Sequence, residues 1–407
     1  VKVVRFLPLL LTVFIDSLGF GLVFPILAML IMKEGTGLLP DASLAMRGWV
    51  FGTLVSCFCL GQFFAGPILG ALSDRKGRKK VLLATLLIAL GGYLFAVASL
   101  WTQNIALFFI ARLLSGIGAG NFAIAQSIMV DCSSEGEKAK NFGLIGMAWG
   151  AGFILGPYFG GQMIESQLLG MSAPFWFASL LCLINVIWLQ FALKETLPAV
   201  QFRKISLLAG IEDLKKAFSH PTLRGLFCVM FIFAFGWGFF TEFSPLFLMG
   251  RFHFDAGKIG LFYAWVGIFV ALSQGVFIRP FLKRFSSAFL LKCSLVGLGT
   301  AMLGFLFIEK TLYLFLFLPV IALFEAFIYP TATTLVSDLT PKESQGEILG
   351  LNNSIQWAAI GITPLFSGSF VALYPHLPIT VASGGMLLAF LLFLWVWKAK
   401  GVKANSV

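Results

Sequence analysis

The chain has 407 residues, 59% of them hydrophobic and 12% charged, with a formal net charge of +11 and a mean hydropathy of +0.94. This composition excludes a soluble globular protein, whose surface needs far more polar residues, and describes an integral membrane protein. The basic excess is accounted for by loops facing anionic lipid headgroups, which leaves a nucleic-acid partner without support.

Apolar runs of about 20 residues, the length that crosses ~30 Å of hydrocarbon at 1.5 Å per residue, recur along the whole sequence. They predict twelve transmembrane helices: 6–32, 47–72, 81–101, 105–130, 141–166, 174–193, 223–248, 259–281, 289–308, 311–336, 348–373 and 378–397. The expected fold class is all-α integral membrane. Lys2 and Arg5 precede the first run, which is too long for a signal h-region and reads as a first span, with no cleavable leader.

Basic residues crowd into alternate connections, among them Arg75, Lys76, Arg78, Lys79, Lys80, Lys138, Lys140, Lys215, Lys216, Lys283 and Arg284, whereas the opposite side holds only Lys33, Arg47, Arg251, Lys258 and Lys310. Lys and Arg are retained on the cytoplasmic side, so both termini are expected in the cytoplasm, with the plasma (bacterial inner) membrane as the expected location. Five of the six cysteines lie in apolar runs and Cys132 at a cytoplasmic end. They read as small packing residues, and neither a disulfide framework nor a metal pair at Cys57 and Cys59 is indicated.

Shifting the sequence by 207 residues lays Asp131 on Asp338, Gly143 on Gly350, Pro157 on Pro364 and Gly161 on Gly368. The chain therefore reads as a tandem repeat of two pseudo-symmetric six-helix halves, 1–193 and 223–407, joined by a cytoplasmic linker over 194–222. Within the linker Leu207, Leu208, Ile211, Leu214 and Phe218 recur at helical spacing opposite Glu212, Lys215 and Lys216, the pattern of an amphipathic helix lying on the membrane surface.

Four charges lie deep in apolar runs, one each in the first, fourth, seventh and tenth: Asp16, Arg112, Glu242 and Glu325. Each costs about 2.5–3.5 kcal/mol on insertion scales, so the four together cost ~10 kcal/mol, comparable with the stability of a whole domain. Such residues are retained for use. Asp16 lies ~15 Å along its helix, near the bilayer centre, where desolvation penalises the ionised form and suits a carboxylate that loads and releases a proton. Glu325 is a second central acid. Glu242 and Arg112 lie nearer the outer side, with a static ion pair as the alternative to a role in coupling.

Two short segments are distinctive. The loop from Gly70 through Asp74, Arg75, Gly77 and Arg78 to Lys80 resembles the loop signature of the major facilitator superfamily. In the fifth run, Gly152, Gly156, Pro157, Gly160 and Gly161 are similar to the motif of its proton-coupled antiporters, and the first run, from Asp16 through Gly19 and Gly21 to Pro25, resembles the tetracycline-exporter-like 12-span drug exporters. The resemblance covers essentially the whole chain. It implies a two-half transporter in which the first helix of each three-helix repeat lines a central cavity, with the site near mid-membrane.

On that reading Asp74 accepts hydrogen bonds at a helix N-terminus, in this fold that of the eleventh segment, while Arg75 and Arg78 pair with Asp131, forming a latch that holds the cytoplasmic side shut. The alternative is a bare topology signal. The matching loop in the second half, Gly275 to Arg284, carries no acid, so the latch is expected in one half only. Glycine every fourth residue makes a smooth stripe for close helix packing, with or without a mechanistic role, and Pro157 removes one backbone donor.

Arg112, Gly116, Ala119, Ala123 and Gln126 share one face of the fourth segment, and Asn352, Gln356 and Thr363 one face of the eleventh. With Gln62, Gln274, Trp149, Trp237 and Trp357 they are candidates for the cavity lining, each equally suited to helix contact. The expected function is a proton-coupled antiporter exporting a small amphipathic or cationic or zwitterionic compound by alternating access. A proton-coupled nutrient importer, or a metabolite or siderophore exporter, is the alternative on the same fold.

The resemblance implies, for a tetracycline exporter, an acid in the ninth run and a histidine in the eighth; here the ninth run is acid-free until Glu309, and His220, His253 and His376 lie in loops or at ends, so tetracycline itself is not the expected cargo. No phosphate-binding loop ending in Gly-Lys-Ser/Thr and no His-Glu-x-x-His is present, so an ATP-driven pump, a hydrolase or another enzyme is not expected. No cofactor or metal is expected. The expected partners are a small-molecule substrate, protons and membrane lipids, with the protein a monomer.

Overall fold

A computed structural model describes residues 2–32, 38–133, 138–164, 168–197, 206, 208–340, 345–374 and 376–399. Every long element among them is helical: α1 (Lys2–Met32), α2 (Leu44–Lys76), α3 (Arg78–Thr102), α4 (Ile105–Ala119), α5 (Phe122–Asp131), α6 (Lys138–Met163), α7 (Ala173–Ala192), α8 (Ala209–Ser219), α9 (Arg224–Phe252), α10 (Ala256–Leu272), α11 (Ile278–Arg284), α12 (Ser287–Phe305), α13 (Thr311–Asp338), α14 (Gln345–Leu373) and α15 (Leu377–Ala399). Among the described residues, ten segments are long and apolar enough to cross a membrane. With α6 at 26 residues and α14 at 29, the set is consistent with twelve spans.

Several helices run past the apolar stretch that announced them. α2 continues to Lys76 and α9 to Phe252, because backbone hydrogen bonding carries on where the hydrocarbon ends. Polar caps start others: Ser43 accepts from Met46 N–H at 3.3 Å, Asn104 from Ala106 and Leu107 N–H at 3.0 and 3.4 Å, and Ser286 from Phe289 N–H at 3.3 Å. Each satisfies donors that the first turn leaves open.

Two expected single helices are interrupted. The fourth span breaks between α4 and α5, where Gly120 N–H bonds Ile117 carbonyl and Asn121 N–H bonds Gly118 carbonyl, both at 3.1 Å, a tightened turn of the 3₁₀ kind. The eighth passes through a π turn over Ser273–Phe277, which carries the exposed Gln274.

The chain forms two compact units, one of Val1–Gly210 with His253–Ala264, the other of Ile211–Phe252 with Trp265–Val407. In the first, α1 packs on α6 and α7, and α3 on α4 and α7; in the second, α9 packs on α14 and α15, and α12 on α13 and α15. The pairing order is the same in both, as a tandem repeat requires.

Burial is inverted relative to a soluble protein. Arg112, Glu242, Asn121, Asn185 and Asn352 are buried, whereas Leu87, Ile187, Phe191, Leu316 and Trp395 point outward, where a bilayer solvates them. Leu208, just before α8, and Ile211 and Phe218 on it are exposed, and Leu214 is half-buried; Leu207 lies outside the described residues. Asp213 on α8 accepts from Ser354 Oγ of α14 at 3.2 Å.

Candidate functional site

In the first unit the site begins on α1. Asp16 Oδ2 is buried with no hydrogen-bond partner among the described residues. Asn121, fully buried at the break between α4 and α5, lies near enough to interact with Asp16, yet neither of its amide atoms is in hydrogen-bond geometry with any described group. Tyr93 of α3 fills the space that a side chain at Gly19 would take. Buried polar groups are normally satisfied, so the partnerless Asp16 oxygen and the Asn121 amide leave hydrogen-bonding capacity unused inside the first unit.

Arg112 enters from α4. Its Nε donates to Leu54 carbonyl at 3.3 Å, and its guanidinium carbon stands 4.7 Å above the Phe58 ring, a cation–π contact. From Phe58 a row of rings runs through Phe20 (5.0 Å between centroids) and Phe153 (6.4 Å) to Trp149 (5.3 Å, planes within 9°). The row joins α2, α1 and α6, and Ser17 Oγ pins its far end by donating to Trp149 carbonyl at 2.6 Å. Gln126 is half-buried on α5, and Gln62 is buried on α2 with Oε1 lacking a partner among the described residues.

α1 is held in place by the stripe on α6. Gly152 abuts Phe14 carbonyl, a side chain at Gly156 would lie 2.6 Å from Leu18 carbonyl, and one at Gly160 would lie 2.6 Å from Leu22 carbonyl. Three glycines thus meet three successive turns of α1 backbone to backbone. Gly161 abuts Ala256 carbonyl, and Gly260 abuts Pro157 carbonyl, so the start of α10 joins the same contact.

In the second unit Glu242 is buried on α9, and Glu325 on α13 has a buried Oε2 without a partner among the described residues. One turn after Glu325, Tyr329 Oη donates to Asn353 Oδ1 at 3.2 Å, linking α13 to α14. Neighbouring polar atoms on α14, Asn352 Oδ1 and Gln356 Nε2, are buried and without partners among the described residues, and Trp357 is half-buried. Thr363, on the same helical face as Asn352 and Gln356, is engaged by a neighbouring helix. It is fully buried, donates to Phe235 carbonyl at 3.1 Å and lies against Gly238 of α9, a helix contact.

A second cluster lies at the α2–α3 connection. Gly77 ends α2 with φ +99°, and α3 starts at the next residue. The Arg78 guanidinium meets Asp74 at 2.6 Å, Asp131 at 3.1 Å and Ser73 Oγ at 2.7 Å, and Ser73 donates to Gly70 carbonyl at 2.7 Å. Arg75 is half-buried. Glu195, which no sequence pattern singled out, accepts the backbone N–H groups of Arg78 and Lys79.

A sequence model of the family described as Major Facilitator Superfamily matches residues 9–364 and 281–406. Among curated proteins the chain is similar to Multidrug resistance protein 2 of Bacillus subtilis, 27% identical over 406 residues that cover 97% of this chain and 95% of the relative. It is also similar to the quinolone resistance protein NorA of Staphylococcus aureus, 28% identical with 94% of each chain covered. Among solved structures it resembles a D-xylose-proton symporter, with a TM-score of 0.77 at 15% identity and 96% of each chain covered. It likewise resembles the human organic anion transporter MFSD10, with a TM-score of 0.72 at 24% identity, covering 95% of this chain and 98% of that one.

Proposed function

Because the chain belongs to the Major Facilitator Superfamily and is a membrane transporter with no enzymatic role, we propose that it is a proton-coupled antiporter exporting small amphipathic, cationic or zwitterionic compounds by alternating access. The observation that carries this reading is the matched pair of partnerless carboxylate oxygens, Asp16 Oδ2 in one unit and Glu325 Oε2 in the other. A proton or a cationic group satisfies each, and not both at once. Arg112 in the first unit and Glu242 in the second are likewise buried and are assigned to coupling with them.

Support for export comes from the curated relatives, whose names denote multidrug and quinolone resistance. The ring row from Phe58 to Trp149 offers stacking surface for a flat apolar body, and the carboxylates offer a counter-charge. The energy suffices: one charge crossing 100 mV is worth about 2.3 kcal/mol, so at ~150 mV one proton supplies roughly 3.5 kcal/mol, enough for a ~300-fold gradient of a neutral solute. At the cytoplasmic side Gly70, Asp74, Arg75, Gly77, Arg78 and Asp131 act as a gate, Arg78 tying the ends of α2, α3 and α5. The Gly152–Gly161 stripe with Pro157 fixes α1, and so Asp16, at one height. Both termini lie in the cytoplasm of a bacterial inner membrane, by the side on which the basic loops fall, and α8 lies on its surface.

Everted membrane vesicles carrying an imposed pH gradient test the reading. Addition of an amphipathic cation should collapse the gradient with the intact protein and not with Asp16→Asn. Collapse by neither proteins' vesicles, for amphipathic cations, amino acids and siderophore-like compounds alike, would overturn antiport.

A further inference from the structure

The connection between α2 and α3 leaves a helix start without a cap of its own. α3 begins directly after Gly77, whose φ of +99° is open to glycine alone among ordinary residues and which has no side chain to bond the first N–H groups. Those donors have no partner inside the helix. The partner comes from 117 residues away: Glu195 Oε1 accepts Arg78 N–H at 2.9 Å, and Oε2 accepts Lys79 N–H at 3.2 Å. Oε1 also accepts Thr196 and Leu197 N–H at 2.9 and 3.0 Å, so the carboxylate is oriented by its own chain before it meets α3. A Cβ at residue 77 would lie 2.5 Å from Oε2; the glycine makes room for the acid as well as for the turn.

The same residue whose backbone Glu195 holds is the one whose guanidinium joins Asp74 and Asp131. Lys79 adds a second tie, its Nζ donating to Gln190 carbonyl at the end of α7 at 2.6 Å. With both ends of Arg78 fixed, the guanidinium has little slack along the chain, and the ends of α2, α3, α5 and α7 meet at one point.

We infer that Glu195 is a positioning residue of the transport cycle, fixing the first turn of α3 so that Arg78 is held on Asp74 and Asp131. The inference rests on the transport reading for its effect on turnover, and on the backbone contacts alone for the cap. Glu195 bonds backbone N–H groups of α3 and of its own segment and none of the carboxylates assigned to coupling, so it acts on the rate at which the latch forms and opens, with substrate binding left alone.

The test uses the full chain in proteoliposomes with an amphipathic cation as substrate. Glu195→Ala should lower turnover by about tenfold, the loss expected for a charge-assisted hydrogen bond, with KM changed less than about twofold. Glu195→Gln, which keeps one acceptor oxygen, should recover part of the loss. In an Arg78→Ala background Glu195→Ala should have no further effect. Equal effects in the two backgrounds, or a Glu195→Ala protein with unchanged turnover, would overturn the positioning role. Hydrogen exchange of the Arg78 and Lys79 amides is read in parallel: at least tenfold faster exchange in Glu195→Ala is expected, and unchanged exchange would overturn the cap even if the intact protein moves no tested substrate. Absence of transport by the intact protein together with accelerated exchange would overturn the antiport reading and leave the cap standing.

Discussion

Arg78 reaches Asp131 across 53 positions of sequence, Nε to Oδ2 at 3.1 Å, while its Nη1 meets Asp74 Oδ1 at 2.6 Å. One guanidinium thus joins two carboxylates on different helices, with side chains exposed by only 9–14%. Removing one partner of a buried pair strands the other charge, at a cost of about 3–5 kcal/mol. Arg78→Ala should therefore lower the thermal unfolding midpoint and the turnover more than Asp131→Asn, which leaves Asp74 in place. Arg78→Lys should behave closer to the alanine variant, because a single ammonium does not span both acids as the planar fork does. Thermal unfolding in detergent and substrate flux in proteoliposomes read both.

Close packing of α6 on α1 makes a second expectation. A methyl group at Gly156 would sit 2.6 Å from Leu18 carbonyl, whereas one at Gly150 meets nothing within 4 Å. Gly156→Ala should cost about 1–3 kcal/mol, and Gly150→Ala within about 0.5 kcal/mol of nothing. Equal midpoints for the two variants would contradict the backbone-to-backbone contact.

The ring row gives a third. Phe20 stacks on Phe58 at 5.0 Å and leads to Phe153 at 6.4 Å. Replacing it by leucine keeps apolar volume and loses ring contacts worth about 0.5–1.5 kcal/mol. Phe20→Leu should raise KM for a flat aromatic cation by roughly 2- to 13-fold and leave an aliphatic quaternary amine unchanged. A parallel rise for both compounds would assign the row to packing alone.

Acid pH supplies a fourth. Burial pushes the Glu195 carboxyl up, but its four backbone N–H bonds outweigh that and hold it below the ordinary value of 4.5. A carboxyl held lower in the folded chain than in the unfolded one stabilises the fold fully above the unfolded value, and that contribution is lost as pH falls through the lowered one. Protection of the Arg78 and Lys79 amides should accordingly be full above the ordinary glutamate range and disappear only below it, and Glu195→Gln should show no such step.

Much of this was written plainly in the sequence. Apolar length placed the spans, and the cost of burial singled out Asp16, Arg112, Glu242 and Glu325, all of which lie on helices within the two units. Spacing alone exposed the Gly152, Gly156 and Gly160 stripe. Other features depend on contacts that no local pattern encodes. Glu195 stands between Lys194 and Thr196 at the start of the linker, where one acid looks like another. Asn121 hides in an apolar run, its only signal the Gly118-Ala119-Gly120 sequence before it, which favours a break. Thr363 shares a helical face with Asn352 and Gln356, yet it lies about three turns further on, where crossing helices bring α9 onto that face.

Proton coupling through Asp16 and Glu325 is the central claim, and substrate flux in proteoliposomes tests it most directly when measured in two modes: driven by a pH gradient, and as substrate-for-substrate exchange without one. In the Asp16→Asn, Glu325→Gln double variant, gradient-driven flux should be lost while exchange continues at raised substrate concentration, because the binding cycle survives without its proton but lacks the carboxylates' counter-charge. Gradient-driven flux at the intact protein's rate in that variant would contradict the account.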